Sequence, residues 1–511
     1  MLMKTLCSGI SVFLSAVMLL GMVPVHASDD EIQIVQKLYQ GEASSEAWHT
    51  AVTVEITDTS LFSEEYMIRL VCEGNQAPAF VLSSWSGGEE WVSISPCARI
   101  EDALFYSYED MAEQFGTDMS LLDSVSVMAR NAPITLYELD IVTADSVRKS
   151  ESNTSGERRV VGYLPDWSYQ FYKELDFSTL THINIAFCNP DTNGELSNYI
   201  PDQEMKAIVE KAHENDVKVL AALGGGGGCD NYPALLKDEA AMVTFNEKIM
   251  EYCEKYDLDG IDLDIELGSN SELWEYYDEW CVSLRKLCDE RDYLMTTATA
   301  QWVAVRVSDE TFSYFDFLNV MAYDNEASPD SHSTYAFAQE CLDFFHIDRG
   351  IAKDKLVLGV PFYGRGYHAD GSLDWNSYVA FSDIVASDTA NYHKDVFEGV
   401  AYNGADTMRK KCGLARDYGG IMIWEITQDC TGEYSLLSLI KDEILTDTEI
   451  PIGDINFDGN ANIVDIIFLQ KYLLTLESFS ETQYSAADLT KDEHVNAFDL
   501  SFLKQMLLHT K

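Results

Sequence analysis

From residue 159 onward the chain repeats one pattern. Short apolar, β-rich runs alternate with longer amphipathic stretches. The runs are Val160–Leu164, His182–Phe187, Val217–Leu223, Gly260–Glu266, Leu294–Ala300, Phe317–Tyr323, Leu356–Tyr363 and Gly420–Ile426. Runs of this length read as strands. Segments between them, such as Asp202–Asn215 and Ala240–Lys255, space their apolar residues as helices do. Eight strands alternating with helices over 159–446 predict an α/β fold, a (β/α)8 TIM barrel. A doubly wound open sheet is the alternative topology. In a barrel the active site forms at the C-terminal ends of the strands.

The flanks have other patterns. Residues 28–149 alternate apolar and polar positions in short runs, among them Ala51–Ile56, Tyr66–Val71, Phe80–Ser83, Trp91–Ile94 and Thr135–Val142. That alternation predicts an antiparallel β-sandwich. A polar, aperiodic stretch at 150–158 reads as a linker, and a shorter joint lies near Asp447 to Pro451. A small module at 452–511 follows. At the start of the chain, Lys4, an apolar run from Ile10 to Val25 and then Val25-His26-Ala27 predict a signal peptide over 1–27. The mature, secreted chain then begins near Ser28. A membrane anchor is the competing reading, but the apolar core is short for a span, and no other stretch is long and apolar enough.

Charge narrows the chemistry. Lys and Arg number 34 against 86 Asp and Glu, a formal net charge of −52. Such a surface repels phosphate backbones and anionic lipid, so nucleic acid is not an expected partner. It suits divalent cations and neutral substrates such as sugars. Of 11 cysteines, Cys7 falls in the signal segment. Most others, including Cys188, Cys253, Cys281, Cys288 and Cys341, sit in apolar or helical contexts that fit buried thiols. Cys72 with Cys97 is the candidate disulfide. The run Gly224–Gly228 lacks the GK[ST] of a phosphate cradle and reads as a loop that lets backbone approach a ligand.

The fourth run carries the chemistry: Asp259-Gly260-Ile261-Asp262-Leu263-Asp264-Ile265-Glu266. Alternate side chains of a strand share a face, so Asp262, Asp264 and Glu266 point one way and Ile261, Leu263 and Ile265 the other. The apolar set packs outward under helices and the acids point into the barrel. Stacked, desolvated carboxylates repel one another, which raises at least one pKa and shares a proton. A carboxylic acid held protonated near neutral pH is a general acid. Glu266, outermost, takes that role. A solvated acidic edge or a metal site is the alternative, though no His lies near.

These residues resemble the DGxDxDxE signature of glycoside hydrolase family 18, the chitinase and endo-β-N-acetylglucosaminidase family. Other segments are similar to the family's strands in order: Val161-Gly162-Tyr163, Ile183–Phe187, Val219–Gly225, Met321-Ala322-Tyr323-Asp324, Gly359–Arg365 and Gly420–Glu425. The resemblance implies a retaining, substrate-assisted mechanism. Glu266 protonates the leaving oxygen, and the substrate's 2-acetamido oxygen attacks C1. Asp264 orients the acetamido N–H and Asp262 shares its proton. Tyr323 donates to the acetamido oxygen, and Trp424 floors the distorted sugar. Tyr163, Phe187, Gly224, Gly225, Gln301, Trp302, Met321, Asp324, Tyr363 and Arg365 are the further expected substrate-binding residues. No cofactor is implied for catalysis, and the catalytic unit is expected to be monomeric. Chitin is the expected substrate. Glycoprotein N-glycans are the alternative, and a chitin-binding lectin a second one, although lectins on this barrel usually lose the residue at Glu266.

Three positions depart from the family pattern. Ala222 stands where many members have Ser, Ile265 where many chitinases have Trp, and the stretch from Tyr367 to Gly419 is short. The short stretch implies that an α+β insertion is missing, leaving a shallow, open cleft.

In the last module two twelve-residue loops recur. Their oxygen donors are Asp454, Asn456, Asp458, Asn460 and Asp465 in the first, and Asp488, Thr490, Asp492, His494 and Asp499 in the second. The spacing matches EF-hand-type coordination of Ca²⁺, and each loop leads into an apolar helix, Ile466–Leu474 and Leu500–Leu508. So small a unit needs the ion to fold. The pair resembles a type I dockerin, which implies a cohesin partner on an extracellular scaffold. A calcium-stabilised tail with no partner is the alternative. The second loop departs from the pattern at Thr490 and at Glu493, which replaces the turn Gly. The resemblance makes Ile463-Val464 and Ala497-Phe498 the partner-selecting pairs. Residues 28–149 loosely resemble a carbohydrate-binding module, with Trp48, Trp85 and Trp91 either a sugar platform or core and rim aromatics.

Overall fold

The computed structural model describes residues 32–509, apart from 75–76, 85–88, 117, 153–156, 269–270, 328–330, 447–451, 458–460, 475–478, 480 and 492–493. The expected signal segment 1–27, Trp85, Asp458, Asn460, Asp492 and Glu493 lie outside the described residues.

All eight expected strands form. They are β1 (Arg159–Pro165), β2 (His182–Ala186), β3 (Lys218–Gly224), β4 (Gly260–Asp264), β5 (Leu294–Thr299), β6 (Leu318–Val320), β7 (Leu356–Pro361) and β8 (Gly420–Trp424). They close into one parallel barrel, β8 pairing back onto β1 from Arg159↔Gly420 to Gly162↔Ile423. Helices cover the outside, as a parallel sheet requires.

Strand parity sorts the two faces. Ile261, Leu263 and Ile265 join the large apolar shell between strands and helices. The inward set, with Val161, Tyr163, Ala186, Ala222, Phe317, Val357 and Met422, fills the interior. The shell is tied at Trp280, which stacks on Phe245 at 6.0 Å and donates its indole N–H to Asn246 Oδ1 at 2.8 Å. Helix Glu239–Tyr256 brings Phe245 there. Asp238 caps its start by accepting from the Ala241 N–H, and left-handed Asp257 ends it.

The stretch after β7 corrects one expectation. Residues 363–401 are not a bare crossover but a four-stranded antiparallel sheet, in the order Leu373–Ala380, Tyr363–Tyr367, Val400–Ala401, Val396–Phe397, with helix Phe381–Ser387. A reduced α+β insertion is therefore present, and the argument for an open cleft falls. Two of its strands are only two residues long, too short to register as alternation in the sequence.

Residues 34–143 form the expected sandwich. One sheet has the order Ile34–Ser45, Ile134–Thr143, Tyr66–Gly74, Ala103–Ser107, Ala98–Ile100. The other has the order Thr50–Glu55, Ser124–Met128, Ala79–Ser84, Glu89–Ile94. Cys72 and Cys97 are free thiols, which corrects the disulfide expectation. Strand Ala103–Ser107 runs between the Cys72 strand and the strand after Cys97. Two strand spacings, about 9.5 Å, exceed disulfide reach. The expected linker also starts late, because helix Ala144–Ser152 runs through its first residues. Trp48 is 66% exposed, and Trp91 is exposed as well.

The sandwich is seated on the barrel. Ile347 of the barrel joins the sandwich core, and Arg99 donates to its carbonyl at 3.0 Å. Gly350 makes room: a Cβ there would stand 2.9 Å from the Arg99 guanidinium carbon. The C-terminal module contributes helices Ile463–Leu473, Glu481–Ala487 and Ala497–His509. No helix among the described residues is long and apolar enough to cross a membrane.

Candidate active site

β4 delivers the acids where its parity demands. Asp262 is fully buried and held by three donors. The Tyr163 hydroxyl donates to Oδ2 at 2.5 Å, while Thr296 Oγ1 and the Asn319 amide donate to Oδ1 at 2.6 and 3.0 Å. Burial still outweighs these bonds and raises its pKa. Asp264, one layer up, is buried with Oδ1 lacking any hydrogen-bond partner among the described residues. Burial, then the Glu266 and Asp262 charges, push its pKa well above the usual carboxylate range. The strand ends at Asp264, so Glu266 stands just beyond it, half-buried at the mouth. Burial and the Asp324 charge raise its pKa too.

The remaining walls come from neighbouring strand ends. Trp424, the last residue of β8, stacks on Phe187 at 5.7 Å and meets Tyr163 edge-on at 5.5 Å. Met321 and Tyr323 follow β6 and pack on the interior cluster beside Trp424 and Phe187. Burial, and next the Asp264 charge, raise the Tyr323 pKa well above its ordinary value, so the phenol stays a donor. Gly224 and Gly225 bring the β3 loop against β4. A Cβ on Gly224 (φ +110°) would stand 2.1 Å from the Asp264 carbonyl oxygen, and one on Gly225 (φ +79°) 2.4 Å from the Phe187 ring. The Gly225 N–H donates to that same carbonyl at 2.7 Å. Only glycine fits there.

Two expected sugar-contacting residues lie deeper than the cleft wall. Tyr363 is buried, stacked on Tyr378 at 4.6 Å. Arg365 is buried in a bidentate pair with Asp324 at 3.0 and 2.9 Å. Its guanidinium sits about 5 Å from the rings of Tyr363, Trp375 and Tyr378. Burial opposes the charge of Asp324, but bonds from His332 and Arg365 hold its pKa below the usual range. Gln301 and Trp302 lie on the short helix after β5, where the Gln301 amide donates to the Glu340 carbonyl at 3.5 Å and Trp302 is exposed.

Several supporting residues had no motif to mark them. Thr296 and Asn319 clamp Asp262 from β5 and β6, and strand parity alone could have found them. His332 Nδ1 stands 3.2 Å from both the Asp324 backbone nitrogen and its carboxylate, and burial keeps the His332 pKa low. The next residue, Ser333, is bolted down by Lys411. That ammonium is fully buried among Ser333 O, Ser333 Oγ and Asn403 Oδ1 at 2.7 to 2.9 Å, and burial pulls its pKa down to about 7. Trp375 (53% exposed) and Tyr378 rise from the insertion strand beside Arg365, and the Trp375 indole donates to Glu326 at 3.1 Å.

The C-terminal loops repeat one arrangement. Asp465 accepts from the N–H groups of Ile455, Asn456 and Asn462 at 2.8, 3.0 and 2.7 Å, wrapping the first loop around a buried carboxylate with Asp454 and Asn456 buried beside it. An oxygen-only donor set with two buried acids fits a hard divalent cation. In the second loop Asp499 accepts from Thr490 N–H, Thr490 Oγ1 and Asn496 N–H. Thr490 and His494 are exposed and Asp488 half-buried, so that loop offers a poorer cage. Ile463 (70%) and Phe498 (74%) are exposed, as is Val464.

Comparisons with known proteins agree with this layout. The model of carbohydrate binding module 65 domain 1 matches residues 39–138, and that of the type I dockerin domain matches 452–508. The chain is 28% identical to probable chitinase 2 of Drosophila melanogaster over 340 residues, covering 52% of this chain and 70% of that one. Among solved structures it is similar to the GH18 chitinase ChiB of Flavobacterium johnsoniae, with 32% identity and TM-score 0.51, over 57% of this chain and 94% of that one. It is also similar to a chitinase of Bacteroides thetaiotaomicron, with 26% identity and TM-score 0.52, over 57% and 98%. The model of glycosyl hydrolases family 18 matches residues 159–429, more than half of the chain. With its acids inside a closed barrel and that match across them, the chain belongs to glycosyl hydrolase family 18.

Proposed function

We propose that the protein is a secreted enzyme that cleaves β-1,4 linkages between N-acetylglucosamine units of chitin, with retention and with the substrate's acetamido group as nucleophile. The observation that carries this reading is the buried Oδ1 of Asp264, without a partner among the described residues, above a triply held Asp262. A buried acceptor without a donor is costly unless a ligand supplies one. An acetamido N–H is such a donor.

Glu266, protonated at rest, gives its proton to the leaving glycosidic oxygen. The acetamido oxygen attacks C1 and forms an oxazolinium ring. Asp264 accepts the acetamido N–H and offsets the positive charge, while Asp262 takes up the shared proton. Tyr323 donates its hydroxyl to the acetamido oxygen, and Trp424 supports the apolar face of the distorted sugar. Glu266, now a carboxylate, removes a proton from the water that opens the ring. Asp324 and Arg365 stiffen the wall behind Tyr323.

The C-terminal module holds Ca²⁺ through Asp454, Asn456, Asp458, Asn460 and Asp465, and less tightly through Asp488, Thr490, Asp492, His494 and Asp499. The ion is structural and neutralises the buried acids. Its exposed apolar pairs, Ile463-Val464 and Ala497-Phe498, face a cohesin. The name chitinase borne by the similar proteins supports chitin over N-glycans.

A digestion panel of colloidal chitin, chito-oligosaccharides and a high-mannose glycoprotein tests the reading. The wild type releases chitobiose or short oligomers, and Glu266→Gln loses about 10²- to 10⁴-fold in rate with unchanged circular dichroism. Normal turnover by the variant overturns the mechanism. A mass shift on the glycoprotein without chitin products moves the substrate to N-glycans.

A further inference from the structure

Two residues in different modules each break a local rule, and they meet. Phe457 is the fourth residue of the first C-terminal loop and has φ +59°, a left-handed conformation that a bulky L-residue adopts at a cost. It is 3% exposed, yet it is not part of the module's own apolar cluster of Ile455, Leu469, Ala487, Leu489, Val495 and Leu503. Its counterpart in the second loop, Lys491, has φ +52° and is exposed. The loop backbone therefore needs the conformation but not the ring.

The ring is instead used by the barrel. Gly413 lies inside helix Ala405–Ala415, where glycine is the poorest helix former after proline. A Cβ added to Gly413 would stand 2.2 Å from a Phe457 ring carbon. One turn earlier, Lys410 holds its ammonium 5.1 Å from the Phe468 ring of the C-terminal module. An αL phenylalanine and a helical glycine each cost stability alone; together they form a knob and its hole.

We propose that Phe457 and Gly413 form a built interface that seats the C-terminal module on its own barrel, away from the catalytic mouth. Helix Ala405–Ala415 runs antiparallel to the strand it precedes, β8. Its C-terminal end, with Gly413, lies at the face where strands begin, opposite the face that carries Glu266. Docked in this way, the module leaves Ile463, Val464 and Phe498 exposed for a partner. The catalytic unit is then held in one orientation relative to whatever binds that module.

Small-angle scattering and hydrogen exchange on the full chain test the interface. Gly413→Leu blocks the hole while favouring the helix, and Phe457→Gly removes the knob while relieving the loop. Both variants are expected to increase the radius of gyration and to lose exchange protection over residues 405–415, with glycosidase activity unchanged. The double variant shows no further increase. Wild-type scattering and exchange in either single variant overturn the proposal.

Discussion

At the scale of single residues the site is a contest between burial and partners. Asp262 has three donors, Asp324 has Arg365 and His332, and Asp264 has one oxygen without a partner among the described residues. The pKa of Glu266 is raised by burial and by Asp324, which in the proposed mechanism sets how far toward alkaline pH the acid stays loaded. A general acid works only while protonated, so the rate falls as pH rises through its pKa. Asp324→Asn removes a raising charge, so the alkaline limb of kcat/KM moves to lower pH. An unmoved limb contradicts that coupling. Asp262, Asp264 and Glu266 were legible because strand parity is rigid and the sequence states it. His332 and Lys411 were not. Their partners lie on other segments, and an isolated His or Lys carries no signal of burial.

At the scale of elements, eight apolar runs became eight barrel strands, with ends displaced by at most three residues. The insertion after β7 was misread because its strands are short and partly exposed. At the base of the barrel His182 begins β2, buried edge-on to Phe317 at 5.2 Å. Burial, with Arg159 and Lys218 nearby, lowers its pKa to about 3. The unfolded chain binds this proton below about pH 6.5 and the fold does not, so the stability His182 contributes is present above that pH and is lost as pH falls toward the folded value. Chemical denaturation of wild type and His182→Asn checks this. The wild-type loss between pH 6.5 and 5 is expected to exceed the variant's by about 2 kcal/mol, since each pH unit is worth about 1.4 kcal/mol per proton. Equal losses contradict it.

At the scale of the whole molecule, module order was legible and module contact was not. The Arg99–Ile347 and Phe457–Gly413 contacts join residues far apart in sequence that no periodicity links. The net charge of −52 also acts at this scale, favouring divalent cations over anionic partners. On the proposed reading calcium would offset the buried acids of the first C-terminal loop, so EDTA is expected to lower that module's melting transition and abolish cohesin binding, with the barrel transition kept. Cohesin binding undiminished by chelation contradicts the calcium role.

The proposed cleavage rests on a nucleophile supplied by the substrate. The most direct measurement compares initial cleavage rates, by the wild-type protein, of a chito-oligosaccharide and its fully de-N-acetylated counterpart. Cleavage of the acetylated chain alone is predicted, because only it brings the amide that Asp264 and Tyr323 receive. Comparable rates on both chains would contradict the mechanism.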